Sequence, residues 1–135
     1  MGCDLHYHIE VRHRKSHEKG GRYYWDHADL STECTDRSYA VFGALAGVRS
    51  DEVKPIDEPR GLPSDVTKET REGYETKGGG CHSASWCDAH ELRKACKRVK
   101  GRFGWMPVNL LAAAAYMEAY EQQGYETRFV FYFDS

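Results

Sequence analysis

Asp4, His6, His8 and Glu10 occupy every second position of the opening segment Met1-Gly2-Cys3-Asp4-Leu5-His6-Tyr7-His8-Ile9-Glu10-Val11-Arg12. Strict alternation predicts a β-strand that turns these four ionisable side chains to one face and sends Leu5, Tyr7, Ile9 and Val11 into a core. A His-x-His pair on a strand offers two imidazoles to one ion. Asp4 adds a hard oxygen, which suits a divalent metal such as Zn, Mn, Fe or Ni. Without a metal, the same groups can share general acid and base work.

Two further segments carry candidate chemistry. Gly78-Gly79-Gly80-Cys81-His82-Ser83-Ala84-Ser85 reads as a glycine-rich loop feeding a helix N-terminus, where free N–H groups and the helix dipole hold phosphate or carboxylate. It is no P-loop, because the Gly-Lys-Ser/Thr ending is missing. The segment from Val48 to Pro63 holds three prolines and no hydrophobic period. It reads as a long ordered loop with Arg49, Lys54 and Arg60, in which the arginines are preorganised forks for an anion. Trp86 can stack on a base, although most tryptophans belong to a core. Cys3 points away from Asp4 and His6 on the predicted strand and reads as a buried thiol. Cys81 and Cys87 lack Cys-x-x-Cys spacing, so a structural zinc knuckle is not expected.

The elements that must position these residues follow from local pattern. Arg22 to His27 is aromatic and strand-like and forms a hairpin with the first strand through a polar turn at Lys15–Gly21. Asp36 is placed to cap a short buried helix that ends at Gly47. Residues 65–76 read as a weakly amphipathic helix started by Ser64 or Asp65. A capping box of Ser85 and Asp88 starts a helix from Trp86 to about Arg98. Pro107 opens the strongest helix, Val108 to Gln122, and Gly124 ends it. Tyr125 to Asp134 is a strand expected to pair with the first, which would bring Asp134 near the polar residues at the chain start. The class is therefore α+β, a small mainly antiparallel sheet made of an N-terminal hairpin and a C-terminal strand and covered by about four helices.

Composition bounds the function. The 135 residues form a single domain, 1–135, by their length. The chain is 40% hydrophobic and 30% charged with a mean hydropathy of −0.75, and no apolar run approaches the roughly 20 residues that cross a bilayer, so no membrane role is expected. A formal charge of −2 argues against duplex nucleic acid as a partner. The clusters at Arg12–Lys15 and Arg93–Lys100 read as solvated faces. Five cysteines and a start without an apolar signal region point to a reducing compartment.

Met-Gly-Cys-Asp-Leu-His at residues 1–6, Arg37-x-Tyr39-x-x-Phe42-x-x-Leu45-Ala46-Gly47-Val48-Arg49, Pro59-Arg60-Gly61-Leu62-Pro63-x-Asp65, His82-Ser83-x-Ser85-Trp86 and Val130-Phe131-x-Phe133-Asp134 span nearly the whole chain. Together they resemble a family of small phage and prophage proteins that begin with Met-Gly-Cys-Asp-Ile-His. Leu5 stands where that family has Ile, a neutral change. The Lys15–Gly21 segment, the glycine run and His8 depart from the family pattern, which moves the catalytic expectation to Asp4, His6, His82 and Asp134. The resemblance implies a phage origin and action in the cytoplasm of an infected bacterial host, where phage accessory proteins bind or destroy nucleotide signals.

The leading expectation is an anti-defence accessory protein that sequesters a small phosphorylated, nucleotide-like molecule. Arg49, Arg60, Ser83 and Ser85 would hold its phosphates, and His6, His82 and Trp86 would contact the remainder. The first alternative is a hydrolase or phosphodiesterase whose Asp4, His6, His82 and Asp134 work as acid and base, with Asp4, His6 and His82 holding a divalent metal as cofactor. The second is an inhibitor that binds a host protein directly. A homo-oligomer is compatible with each.

Overall fold

The computed structural model describes residues 2–13, 24–28, 38–76, 79–103 and 107–135. In chain order the elements are β1 (Asp4–His13), β2 (Asp26–His27), α1 (Tyr39–Ala46), α2 (Lys68–Glu75), β3 (Cys81–Cys87), α3 (Ala89–Phe103), α4 (Val108–Gln122) and β4 (Tyr125–Asp134). The strands form one antiparallel sheet in the order β2-β1-β4-β3. The α+β class expected from the pattern is the class observed.

β1 and β4 pair along their whole lengths, from Asp4 opposite Asp134 to His13 opposite Tyr125. Residues opposite one another in antiparallel strands share a face. Leu5, Tyr7 and Ile9 therefore stand with Phe133, Phe131 and Phe129 on the core side, where α1, α3 and α4 pack over them. All three phenylalanines are fully buried. Burying each contributes about 1.5–3 kcal/mol. Cys3 is buried in the same core, as its strand position predicts.

α2 lies over the opposite face. It is short and polar, and such a helix is marginal alone. Its seat is made by Glu10 of β1, which accepts hydrogen bonds from the Thr67 N–H at 2.7 Å and the Thr70 hydroxyl at 2.8 Å. The Arg128 Nε donates to the other Glu10 oxygen at 2.7 Å. One turn later Gly73 passes so close to the sheet that a Cβ there would sit 2.8 Å from the Tyr132 hydroxyl and 2.9 Å from His8 Nε2.

Several expected boundaries move. α2 is capped by the side chain of Thr67, not by Ser64 or Asp65. Ser38 occupies the N-cap of α1 without a side-chain bond, and Asp36 lies outside the described residues, as do Arg22, Tyr23 and the Lys15–Gly21 turn. Pro107 stands at the N-cap of α4 and not inside its first turn.

The largest correction concerns Cys81 to Cys87. This segment is a strand, not a loop running into a helix. β4 needs a partner on its outer side, and Ser85 and Cys87 supply apolar-facing positions opposite Phe131 and Phe129. The capping box falls three residues later than expected. The Glu91 N–H donates to Asp88 Oδ1 at 2.8 Å and the Asp88 N–H to Glu91 Oε1 at 3.2 Å.

Candidate functional site

Strand register decides which chemistry-bearing residues meet. On the α2 face, Asp4 is opposite Asp134 and His6 is opposite Tyr132, while Cys81 of β3 flanks Asp134 from the other side. His6 Nε2 lies 3.4 Å from Asp134 Oδ2, with both side chains about a third exposed. At that separation the pair is electrostatic, and Nε2 itself is sealed from solvent without a hydrogen bond. The His6 ring stacks on Tyr132 with centroids 5.5 Å apart and planes 26° apart.

Behind this opening the polar groups continue inward. The Tyr132 hydroxyl is 3.0 Å from His8 Nε2, and His8 Nδ1 is 3.2 Å from His27 Nε2 of β2. Burial, with the nearby Cys81 and Asp134 adding to it, pushes the Tyr132 phenol up to about 12. Tyr132 therefore stays protonated near neutral pH. Deeper still, Arg128 joins Glu10 to Asp65 by a 2.9 Å bond, and its guanidinium lies 4.1 Å over the Trp25 ring. Arg12 covers the same indole at 4.2 Å.

His82 does not belong to this group. It is paired with Phe133 and stacks on that ring, which places it on the core side of the sheet, opposite in parity to Asp4, His6 and Asp134. The expected metal set of Asp4, His6 and His82 is thus not assembled. Among the described residues no three His, Cys, Asp or Glu side chains are grouped as a metal ion requires. The donors among the described residues therefore do not fit the divalent cofactor.

The expected phosphate cradle is also dispersed. Ser83 and Ser85 sit on a strand and not at a helix start. Arg60, Ser85 and Trp86 do come together, but they satisfy one another. The Arg60 N–H donates to Ser85 Oγ at 3.0 Å, and its guanidinium grips both oxygens of Glu91, Asp57 Oδ2 at 3.0 Å and the Trp86 carbonyl at 2.9 Å. The same guanidinium lies 4.8 Å over the Trp86 ring. Arg49 stands apart from them, 5.7 Å over the Tyr39 ring beyond α1. Lys54 contributes its backbone carbonyl, with that of Pro55, to Arg98 at 2.8 Å each. The loop from Val48 to Pro63 is therefore a strap fastened to α3 and β3.

Tyr132, His27 and Cys81 are the members of the site that sequence reasoning missed. Tyr132 was open to detection, because it shares the alternating phase of Arg128 and Asp134 in β4. His27 had no such signal, since only a two-residue pairing brings it beside β1. Compared with family models, curated proteins and solved structures, the chain matches none of them.

Proposed function

We propose that the His6–Asp134 end of the sheet is the acid–base centre of a small hydrolase that cleaves a phosphorylated, nucleotide-like molecule. The observation that carries this reading is the diagonal approach of His6 to Asp134, 3.4 Å apart, beside a protonated Tyr132 that stands opposite His6. Asp134 orients the imidazole, so His6 can take a proton from water and return it to the leaving group. Tyr132 supports the ring from below and donates or accepts through its hydroxyl. Asp4 stands opposite Asp134 in the same row, at the mouth of the site.

The substrate class and the setting rest on the resemblance to phage proteins, with the host cytoplasm as the place of action and a host nucleotide signal as the target. Pure sequestration is less well supported, because Arg60 spends its hydrogen bonds on Glu91, Asp57 and the Trp86 carbonyl.

The test is to incubate the purified protein with cyclic and ADP-ribose-type nucleotides, heat-release the contents and chromatograph them. Fragments are expected, with a loss of about 10²–10⁴-fold in rate for His6→Ala. Intact retained ligand would overturn hydrolysis in favour of sequestration. Neither turnover nor retention would overturn both and favour a host protein as the partner.

A further inference from the structure

On the other side of the same sheet end, His82 sits between two serine hydroxyls. Its Nδ1 is 3.0 Å from Ser83 Oγ and its Nε2 is 2.7 Å from Ser135 Oγ. Ser83 holds φ at +54°, in the left-handed region that a non-glycine residue enters at a cost. The register of β3 on β4 shifts between His82 and Ser85, so Ser83 and Ala84 have no partner in the ladder. β3 is an edge strand, and His82 and Ser83 are half-buried, which leaves the hydroxyl within reach of a small molecule.

A bulge that re-aims one side chain, a strained backbone at that side chain and an imidazole on its oxygen form the local arrangement of an activated serine. We propose that Ser83 is a nucleophile, that His82 is its base and that Ser135 is a positioning residue for the imidazole. The substrate class is a carboxylic or phosphoric ester. In the tautomer with its proton on Nε2, His82 donates to Ser135 Oγ and leaves Nδ1 to accept from Ser83. As Ser83 Oγ bonds to the acyl carbon or phosphorus, its proton passes to Nδ1 and the ester bond to the leaving oxygen breaks. His82 then gives that proton to the leaving alkoxide. Water, deprotonated by the same imidazole, hydrolyses the serine ester and restores Ser83. This does not rest on the His6–Asp134 reading, because covalent capture reports on Ser83 whatever His6 does.

The experiment exposes the full chain to diisopropyl fluorophosphate and maps the adduct by peptide mass. Ser83 Oγ should displace fluoride from phosphorus and carry one adduct per chain. His82→Ala should slow labelling about 100-fold or more, and Ser135→Ala by about threefold to tenfold. Ser83→Gly is the folding control, since glycine accepts φ of +54° without strain. It should melt no lower than the parent and take no label at this peptide. Turnover of p-nitrophenyl acetate against bis(p-nitrophenyl) phosphate separates acyl from phosphoryl esters. A parent chain whose Ser83 stays unmodified overturns the proposal, as does undiminished labelling in a folded His82→Ala protein.

Discussion

Arg60 shows how a residue that looks like a ligand fork can be consumed by its own fold. Its guanidinium forms a two-pronged contact with Glu91 while bonding Asp57 and the Trp86 carbonyl, so it fastens the strap to the start of α3 and to β3. Charge-assisted bonds of this kind are the strong ones, though partial exposure reduces their net value. Arg60→Ala is expected to cost about 1–2 kcal/mol in urea unfolding. The pair also predicts an acid dependence. The Arg60 hydrogen bond holds the Glu91 carboxyl below its ordinary value, with the Asp88 backbone N–H helping. A depressed carboxyl stabilises the fold above its unfolded value, and the contribution is lost as pH falls through the folded value. Stability measured across the acid range should therefore fall in the parent, and Glu91→Gln should flatten part of that fall.

At the scale of elements, α2 depends on what the sheet offers it. Its own ion pairs, Lys68–Glu72 at 3.8 Å and Arg71–Glu75 at 3.9 Å, are exposed and worth only about 0.3–0.5 kcal/mol each. Glu10, fully buried, holds the helix start and balances Arg128. Glu10→Ala would leave a buried guanidinium with the exposed Asp65 carboxylate as its remaining charge partner among the described residues, at a cost of about 3–5 kcal/mol. Amide exchange at Thr67 and Thr70 should accelerate along with global unfolding. Gly73→Ala is the complementary change. It gains about 1 kcal/mol of helix propensity but drives a methyl into the Tyr132 hydroxyl and His8. A net loss of about 1–3 kcal/mol is expected in thermal melts.

These contacts mark where sequence reading ends. The strand phase of Asp4, His6, His8 and Glu10 was legible from alternation, as was the pairing of the first and last strands from their apolar content. That the Glu10 carboxylate would seat a helix 57 residues later was not, because nothing local to Glu10 distinguishes a buried charge from a wet one. β3 was misread for a related reason. Both Ser85 with Asp88 and Asp88 with Glu91 satisfy a capping-box spacing, and only the open edge of β4 selects the later one.

Over the whole molecule the sheet separates two demands. One face is closed by α1, α3 and α4 around the phenylalanines of β4. The other carries the buried Glu10–Arg128 network at one end and the partly exposed His6–Asp134 pair at the other. Parity of a single strand set this division, and it removed His82 from the site that the sequence had grouped it with. The separation predicts that function and stability can be lost independently. His6 is about 29% exposed in its side chain and forms no hydrogen bond through Nε2, so truncating it removes a ring stack and a partly exposed electrostatic pair with Asp134. His6→Ala should shift the unfolding free energy by about 0.5–1.5 kcal/mol while abolishing most nucleotide turnover. Glu10→Gln keeps an acceptor for the Thr67 N–H but removes the charge that balances Arg128, and it lies at the other end of the face. It should reduce stability well before it reduces the rate per folded molecule. Measuring both variants by urea titration and by turnover at matched folded concentration checks the division. If His6→Ala unfolds the protein, or Glu10→Gln loses turnover without losing stability, the two ends of the face are one unit and the separation fails.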